Sequence, residues 1–419
     1  MTAAHGAARV HVAGAGIAGL VAALALAQAG HAVTLHEATP LAGGRCRALA
    51  DGTDNGTHAL MGANRAALRF LGAIGARDRW IEPEPEGLPV LDLADGSARR
   101  IAAAPLAWRD PAQRPPGLSA GGLLALAGMA LSITDRPVAA AMAKHPALLR
   151  GFVEPLTVAA LNTPVAEASS ARLGQVLRRL GGAGAARLLV ARDGLGPDMI
   201  APALAALEQA GAEMRHGSRL RALTVAEGRV AALHLGGETL ALGARDAVIL
   251  ALPPWEVARL IPGLRVPERH AAIVNLHFAQ GGPGPLRFIG LVGGLAQWVL
   301  VRPAGVSVTI SAADAAAEDD EHTLAPRAWA EIRAAARAFA LPGAWPEAPP
   351  PCRVVKERRA TPHHGVGVPP QPPRAPLHNL ALAGDWTWPA LPATIEAAAR
   401  SGEAAAQAVA KRLPRPGVA

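Results

Sequence analysis

The fold is decided by the stretch Arg9-Val-His-Val-Ala-Gly-Ala-Gly-Ile-Ala-Gly-Leu20, close to the start of the chain. Its apolar opening predicts a strand, Gly14-Ala-Gly16-Ile-Ala-Gly19 predicts a tight turn, and the Ala- and Leu-rich run to Gln28 predicts a helix. A second short strand, Ala32–His36, follows, and Glu37 closes it. This order of strand, glycine turn, helix, strand and acid is the dinucleotide-binding pattern in its required context.

Each residue of the pattern has a physical task. Gly14 permits the turn, Gly16 lets the backbone approach a pyrophosphate, and Gly19 lets the helix pack closely on the strand. The N-terminus of the helix offers unpaired N–H groups and a positive dipole end to phosphates. Glu37 can accept hydrogen bonds from an adenosine ribose. The stretch therefore predicts a site for the adenosine and pyrophosphate of a dinucleotide.

The composition is that of a globular chain. Hydrophobic residues make up 51% of it and charged residues 18%, and its length of 419 residues predicts two or three domains. The 41 basic and 33 acidic residues give a net charge of +8, but no block of like charges indicates nucleic-acid binding. The two cysteines, Cys46 and Cys352, indicate neither a disulfide framework nor a metal site. No charged leader with a hydrophobic core opens the chain, so we expect a cytoplasmic protein.

A glycine–arginine element, Gly43-Gly44-Arg45-Cys46-Arg47, lies just beyond Glu37. Its glycines permit close approach of the backbone, and its two arginines can reach an anionic group. Together with the glycine turn, it resembles the opening of FAD-dependent amine oxidases and phytoene-desaturase-like flavoproteins. That resemblance implies that FAD is the cofactor, rather than NAD, with Gly44, Arg45 and Arg47 among its binding residues. It also implies that the stretch following the arginines lines the isoalloxazine pocket.

A second cofactor segment is predicted near the other end of the chain. Residues 379–385 predict a buried strand ending in Gly384-Asp385, and Thr394 and Ile395 open a helix to about Lys411. The resemblance implies that Gly384 and Asp385 bind the ribitol or pyrophosphate side. Thr394 and Ile395 would then aim N–H groups at the flavin pyrimidine edge, stabilising a reduced, anionic flavin. Leu220 falls where such folds read the adenine edge with backbone groups.

The predicted fold class is α/β, with a two-dinucleotide-binding (Rossmann-like) FAD domain and an α+β substrate domain of antiparallel strands with a helical insert. We expect the FAD domain to comprise residues 1–81, 193–258 and 361–419, and the substrate domain to comprise the insert 82–192 and residues 259–360. A helical run is expected from residue 65 to Trp80. The other expected elements are helix 197–210, strand 212–223, hairpin 223–235, strands 246–251, 272–278, 288–292, 296–301 and 306–311, helix 323–340 and strand 352–356.

The middle segments make the resemblance more specific, since they are similar to those of hydroxysqualene dehydroxylases, the squalene-associated FAD-dependent desaturases. They run in order along nearly the whole chain: Asp54-Asn-Gly-x-His58 with Gly62, Glu154-Pro-Leu, Ala160-Leu-Asn-Thr-Pro164, Ile273-Val-Asn-Leu-His277, Gly290-Leu-Val-Gly-Gly, Gln297-Trp298, Ser311-Ala-Ala-Asp314, Arg353-Val-Val-Lys-Glu-x-Arg359-Ala-Thr361, Ala383-Gly-Asp-Trp386 and Leu391-Pro-Ala-Thr-Ile-Glu396. The sequence departs from the family pattern at Thr57, Asn64 and Pro362-His-His-Gly365. These departures concern the fine positioning of the substrate.

The family reaction replaces the hydroxyl of hydroxysqualene with hydrogen, giving squalene for hopanoid synthesis. We expect reduced flavin to deliver hydride while a protonated side chain assists the loss of water. The sequence leaves the acid open, and the candidates by position are His58, His277, Lys356 and Glu396. Three tryptophans, Trp298, Trp386 and Trp388, either shelter the allylic cation through their π faces or simply pack.

Three alternatives stay open at this point. The first is an oxidative phytoene-type desaturase, which shares the fold and a polyisoprenoid substrate. The second is an amine oxidase, which is disfavoured because the chain contains no tyrosine for an aromatic amine cage. The third is a non-catalytic flavin-binding partner of squalene-synthase-like enzymes, which no positive feature supports.

The expected substrate is an insoluble hydrocarbon, and this has consequences for location. The uncharged segment 117–133 predicts either a buried helix or one that skims a membrane. Peripheral contact with the inner face of the cytoplasmic membrane is expected through residues 123–133. Squalene-synthase-like pathway enzymes are the expected protein partners.

Overall fold

The computed structural model of the chain describes residues 8–102, 105–367 and 372–413. In these residues the strands are β1 (Arg9–Ala13), β2 (Ala32–His36), β3 (Ala59–Met61), β4 (Trp80–Ile81), β5 (Leu88–Asp92), β6 (Ala98–Ile101), β7 (Leu188–Ala191), β8 (Glu213–Arg215), β9 (Leu220–Ala226), β10 (Arg229–Leu235), β11 (Glu238–Ala241), β12 (Ala247–Leu250), β13 (His270–Phe278), β14 (Arg287–Val292), β15 (Trp298–Arg302), β16 (Gly305–Ile310), β17 (Cys352–Pro362) and β18 (Leu380–Leu382). The α-helices are α1 (Ile17–Gln28), α2 (Arg65–Ala73), α3 (Ala120–Leu131), α4 (Val138–Ala141), α5 (Pro146–Leu148), α6 (Glu154–Leu161), α7 (Ser170–Leu180), α8 (Ala201–Gln209), α9 (Pro254–Leu260), α10 (Glu321–Ala338) and α11 (Ile395–Ala410).

A parallel sheet of five strands carries the glycine turn. Its order is β18-β12-β1-β2-β8, and every neighbouring pair is parallel. β12 is buried along its whole length and is a continuous apolar run, as expected for a strand covered on both faces, whereas β1 also buries the polar side chain of His11. α1 and α11 cross at close quarters, since a Cβ on Gly402 would lie 2.4 Å from the carbonyl oxygen of Ala18. The first and last described elements of the chain therefore share one core.

A second sheet of seven strands has the order β17-β13-β16-β15-β14-β5-β6. It is antiparallel except where β14 pairs with β5. One face packs on α10 through an apolar core centred on Trp329, which is fully buried. The opposite face carries Asn275 and His277, because side chains alternate along β13. The strands predicted at 272–278, 288–292, 296–301, 306–311 and 352–356 are confirmed within a residue or two, and β17 continues to Pro362.

Two strands of this sheet were expected to be part of a helical insert. β5 and β6 lie within residues 82–192, where the sequence predicted helices, and that expectation is wrong for these two segments. β5 finds its parallel partner in β14, with Val90 opposite Gly290, two hundred residues further along the chain. The local sequence does not determine whether this segment is helical or extended, and pairing with a strand distant in the chain makes it extended. The rest of the segment is helical, as expected, from α3 to α7.

Two further predictions about boundaries are corrected by glycines in the left-handed region. The single strand expected at 212–223 is split at Gly217 (φ +66°), so that β8 joins the parallel sheet and β9 starts the hairpin. The helical run expected to reach Trp80 ends at Ala73, just before Gly75 (φ +66°), and Trp80 lies in β4. The hairpin is confirmed, with both turn residues, Glu227 and Gly228, at positive φ. β11 extends it to three strands, which the sequence did not predict.

The insert packs around α3 and α7. A Cβ on Gly174 of α7 would lie 2.1 Å from the carbonyl oxygen of Met129, so only glycine permits this helix crossing. The predicted apolar helix is confirmed at Ala120–Leu131, and it buries Gly122, Leu126 and Met129. Among the residues that the structure describes, no helix has both the length and the apolarity needed to cross a bilayer.

Candidate active site

The three glycines of the opening turn face three different surroundings. Gly14 (φ +99°) donates its N–H to the carbonyl of His36, and a Cβ on it would lie 2.4 Å from the carbonyl oxygen of Ala251. A Cβ on Gly19 would lie 1.9 Å from the carbonyl oxygen of Gly14, so α1 packs directly on the turn. A Cβ on Gly16, by contrast, would meet no atom within 4 Å. Gly16 therefore borders open space at the N-terminus of α1, which is the space that a pyrophosphate requires.

Glu37 is buried and anchored to the same turn. Its Oε2 accepts the N–H of Ala15 at 2.9 Å, and its Oε1 accepts from both the backbone N–H and the hydroxyl of Thr39. A carboxylate has about four acceptor positions, so these contacts leave capacity for a ribose hydroxyl. The backbone of Glu37 is fixed as well, because its carbonyl accepts the N–H of Ser218 at 2.8 Å. The predicted ribose ligand is thus held rigidly beside Gly16.

Arg45 and Asp385 join the two predicted cofactor segments, 340 positions apart. The Nη2 of Arg45 lies 2.7 Å from the Oδ2 of Asp385, and its Nη1 donates to the carbonyl of Ala360. Burial alone would lower the pKa of Arg45, but the neighbouring carboxylate of Asp385 raises it above its ordinary value. Asp385 follows Gly384 (φ +149°), a backbone conformation that favours glycine. The guanidinium of Arg47 instead turns back to the carbonyl of Gly44, at 3.3 Å.

The remaining predicted cofactor residues lie at element ends. Thr394 is the N-cap of α11, and its hydroxyl accepts the N–H of Ala397 at 3.2 Å. The N–H groups of Ile395 and Glu396, the two residues that directly follow the cap, precede the first hydrogen bond of the helix, from Ala398 to Thr394. Leu220 starts β9 and is buried, and its carbonyl accepts from Arg259 at 3.1 Å. The glycine turn, the arginine and the helix N-terminus supply donors and Glu37 supplies an acceptor, a set that fits the adenosine, pyrophosphate and pyrimidine ends of FAD.

Of the four candidate acids, His58 and His277 lie near the same sheet face. The loop leading to His58 lies against that face, since Thr57 donates its N–H to Asn275 at 3.4 Å. The Nδ1 of His58 lies 3.1 Å from the carbonyl of Gly56, and burial lowers the pKa of its imidazole while the nearby Asp54 opposes that shift. His277 contacts the hydroxyl of Ser307 through Nδ1 at 2.9 Å, and its buried Nε2 has no partner among the described residues. Burial, then the charges of two arginines, lowers the pKa of His277 to about 4.

The other two candidates are placed elsewhere. Lys356 is directly opposite Val274 on β13, so it lies on the α10 face, and its ammonium donates to the carbonyl of Asp319. Glu396 is buried and accepts the N–H groups of Ala66 and Ala67 at 2.8 and 2.9 Å. Its other oxygen pairs with Arg400, at 2.6 Å. Glu396 thus links α11 to the N-terminus of α2, where a carboxylate is favoured by the helix dipole.

The three tryptophans also separate. Trp298 stacks on Phe288 at 5.3 Å, on the face of the sheet that carries Asn275. Trp386 is buried in the core beside the parallel sheet and donates its indole N–H to Leu252. Trp388 lies under the guanidinium of Arg374, at 4.8 Å. Trp298 is therefore the tryptophan that the structure brings to the same face as Asn275.

Two polar residues were not assigned a role from the sequence. Asn275 accepts from both Thr57 and the hydroxyl of Thr309, and a Cβ on Gly56 would lie 2.9 Å from its amide nitrogen. The other is His364, whose Nε2 accepts the N–H of Ala393, just before the cap of α11. The signals were present, since Asn275 lies within a quoted family segment and His364 lies in the one that departs from the pattern. Neither a polar residue in a buried strand, such as Asn275, nor a histidine in the segment after β17, such as His364, is by itself enough to indicate a role.

Comparison with known proteins agrees with this geometry. The family of flavin-containing amine oxidoreductases matches residues 17–283. The hydroxysqualene dehydroxylase of Rhodopseudomonas palustris is 40% identical over 418 residues, covering 96% of this chain and 98% of the relative. That of Sinorhizobium fredii is 36% identical, covering 95% and 97%. The structure of cyclohexylamine oxidase from Brevibacterium oxydans superposes with a TM-score of 0.68 at 18% identity, covering 97% of this chain and 99% of that one, which shows the shared fold.

The matches to these two relatives cover 96% and 95% of this chain and nearly the full length of each relative. The chain belongs to the flavin-containing amine oxidoreductases and, within them, to the hydroxysqualene dehydroxylases.

Proposed function

We propose that this chain converts hydroxysqualene to squalene by reductive removal of the hydroxyl group. The observation that carries the proposal is the end-to-end similarity to proteins named hydroxysqualene dehydroxylase, at 40% and 36% identity. Reduced FAD would supply a hydride to the allylic carbon as the C–O bond breaks, and one proton would release the hydroxide as water. Substrate, hydride and proton thus balance to squalene, water and oxidised flavin.

The proposed cofactor residues act by holding and orienting FAD. Gly14, Gly16, Gly19 and Glu37 would bind the adenosine and pyrophosphate, with Gly44, Arg45, Arg47, Leu220, Gly384 and Asp385 around them. The N–H groups at the N-terminal end of α11, those of the cap Thr394 and of Ile395, would face the pyrimidine edge, where they favour the anionic reduced state. Support comes from the open space beside Gly16 and from the Arg45–Asp385 pair, which joins the two segments.

We propose His58 as the proton donor for the departing hydroxide. Lys356 lies on the other face of the sheet, and both oxygens of Glu396 are engaged by α2 and α11. Burial lowers the pKa of both imidazoles, but the contact with Gly56 and the charge of Asp54 oppose that shift at His58, whereas Arg302 and Arg353 add to it at His277. Because only the protonated imidazole donates, kcat should fall as the pH rises, and H58Q should lose that dependence together with most of the activity. H277Q is the matched control.

Anaerobic incubation of the pre-reduced enzyme with hydroxysqualene tests the reaction itself. Squalene together with stoichiometric reoxidation of the flavin is the expected result. Turnover that requires oxidised flavin and a more saturated polyisoprenoid would instead identify an oxidative desaturase. Purified protein without a flavin spectrum would refute both the dehydroxylase and the desaturase hypotheses.

We further propose that the insert docks on the cytoplasmic face of an anionic membrane. Exposed apolar residues concentrate there, including Leu124 (74%), Leu131 (76%) and Ile133 (99%), while α3 itself carries no charge. Exposed basic residues flank it, namely Arg109, Arg136 and Lys144. This pattern suits an interfacial helix, which combines buried apolar area with attraction to anionic lipids. Squalene-synthase-like enzymes that share the surface are the proposed partners.

A flotation assay with vesicles of anionic and of neutral lipid tests the docking. The wild-type chain should float with the anionic vesicles, and a variant carrying L124S, L131S and I133S should remain in the soluble fraction. V225S, which changes an exposed apolar residue on the hairpin, is the matched control. Equal flotation of the triple variant would refute the assignment of this surface.

A further inference from the structure

Several family segments without an assigned role meet at one buried place. Asn162, at the end of α6, accepts the N–H of Ala312 and donates to the carbonyl of Ala271 and to the hydroxyl of Thr361. Asn162 and Ala312 both have positive φ, of 47° and 48°, which is uncommon for residues other than glycine. Strained residues persist only where their surroundings hold them firmly. The junction of α6, β16 and β17 is therefore a rigid one.

His364 connects this junction to the start of α11. Its imidazole is 5% exposed, and its Nε2 accepts the N–H of Ala393 at 2.9 Å. Its backbone N–H donates to the hydroxyl of Thr163 at 3.1 Å, and its carbonyl accepts from Ser169 at 3.0 Å. His364 is therefore held in place by Thr163, Ser169 and Ala393. The lone pair of its imidazole accepts the hydrogen bond from Ala393 and so anchors the loop of residues 391–394.

The chemical state of His364 follows from its neighbours. Ala393 and Arg172 can each only donate, and a neutral imidazole has a single lone pair. The shorter contact, 2.9 Å from the N–H of Ala393, assigns that lone pair to Nε2, while the guanidinium of Arg172, 3.4 Å from Nδ1, disfavours a charged ring. Burial, followed by Arg172, lowers the pKa of His364 to about 3, so the ring stays neutral at physiological pH. The acceptor that Ala393 needs is thus always present.

We propose that His364 is a positioning residue for the flavin, acting through Ala393 on the direction of the first N–H groups of α11. The proposal rests on the proposed binding of FAD at this helix end. Thr394 follows Ala393 directly, and its carbonyl accepts the N–H of Ala398, so a turn of the loop would redirect the N–H groups of residues 395 and 396. Those groups stabilise negative charge on the reduced flavin more than they stabilise the neutral oxidised flavin. Loss of the Nε2 acceptor therefore favours the oxidised state.

The test compares H364Q with H364N in the flavin-loaded full-length chain. A glutamine oxygen can reach the position of Nε2, whereas the asparagine side chain is one methylene shorter. We expect H364N to weaken the preference for the reduced flavin about tenfold, a fall of about 30 mV in the two-electron midpoint potential, and H364Q to stay near the wild type. H363Q alters the neighbouring imidazole, which lies 3.1 Å from Glu167, and serves as the control.

The midpoint potential, measured by redox titration of the flavin absorbance, is the deciding readout because a purely structural role would change only the melting temperature. Potentials of H364N and H364Q that both equal the wild type, or that shift equally, would overturn the proposal. Wild-type protein that binds no flavin at all would refute the proposed function instead. An H364N variant that holds flavin at an unchanged potential would refute only the role of His364.

Discussion

Replacing Gly16 with alanine separates binding of the cofactor from stability of the fold. Gly16 has φ −73° and ψ 176°, which alanine adopts freely, and a Cβ there would meet no protein atom within 4 Å. The free energy of unfolding of the apoprotein should therefore stay the same or rise by about 0.4–1 kcal/mol, since alanine restricts the unfolded chain. The added methyl group would, however, occupy the space proposed for the pyrophosphate. An overpacking cost of about 1–3 kcal/mol corresponds to a Kd for FAD raised by about 5- to 150-fold.

Gly19 provides the opposite control. A Cβ there would lie 1.9 Å from the carbonyl oxygen of Gly14, so G19A should destabilise even the apoprotein by about 1–3 kcal/mol or more. The assay is urea denaturation of both apoproteins, combined with fluorescence titration of each with FAD. An unchanged FAD affinity in G16A would refute the reasoning, because the open space would then not be the pyrophosphate site.

Three further predictions concern the titratable side chains His11, His36, Glu396 and Lys356. His11 and His36 stack in the core, with Nδ1 and Nε2 3.2 Å apart, and burial lowers both pKa values from 6.5 to about 4. The unfolded chain therefore binds more protons than the folded chain between pH 6.5 and 4. The free energy of unfolding should fall as the pH falls through that window, by up to about 3 kcal/mol for each histidine. Denaturant titrations at several pH values should show a weaker dependence of the unfolding free energy on pH in H11N/H36N than in the wild type, and an identical dependence would contradict this. E396Q should lower the unfolding free energy by about 1–3 kcal/mol because it weakens the hydrogen bonds to the start of α2. Its kcat should stay within a few-fold of the wild type at a temperature where the variant is folded. A large loss of kcat in a stable E396Q variant would instead support Glu396 as the proton donor. K356M should retain activity, as measured by squalene formation, because its side chain lies on the α10 face.

The parts of the fold that local sequence could predict are those with local causes. Gly14 and Gly19 predict the turn, and Glu227-Gly228 predicts the hairpin. Each position needs a positive φ or a close contact with neighbouring backbone, which few residues other than glycine permit. β5 and β11 went unrecognised, since their partners decide their conformation and not their own residues. Gly75 and Gly217 end elements earlier than the apolar pattern suggests. At these positions a glycine indicates the end of an element more accurately than the apolar pattern does.

The site divides in a similar way. Arg45 and Asp385 were expected to serve the same cofactor from opposite ends of the chain, and the structure does bring them within 2.7 Å. Which face of a strand a candidate occupies depends on register, which the sequence of one strand does not reveal. Lys356 and His277 both lie on the antiparallel sheet, yet on opposite faces. His364 accepts a hydrogen bond from the backbone N–H of Ala393. A contact to a backbone group does not depend on the type of the donor residue, so the sequence does not indicate it.

The sharing of one core by α1 and α11 has a consequence for how the chain is synthesised. β1, α1 and β2 are synthesised long before β18 and α11, the strand and helix that complete their core. The nucleotide-binding half must wait for almost the entire chain with one strand edge unpaired and one helix face uncovered, a state that invites aggregation. Deletion of the final helix should therefore yield insoluble protein rather than an inactive folded one, and a nascent chain stalled before residue 380 should depend on chaperones.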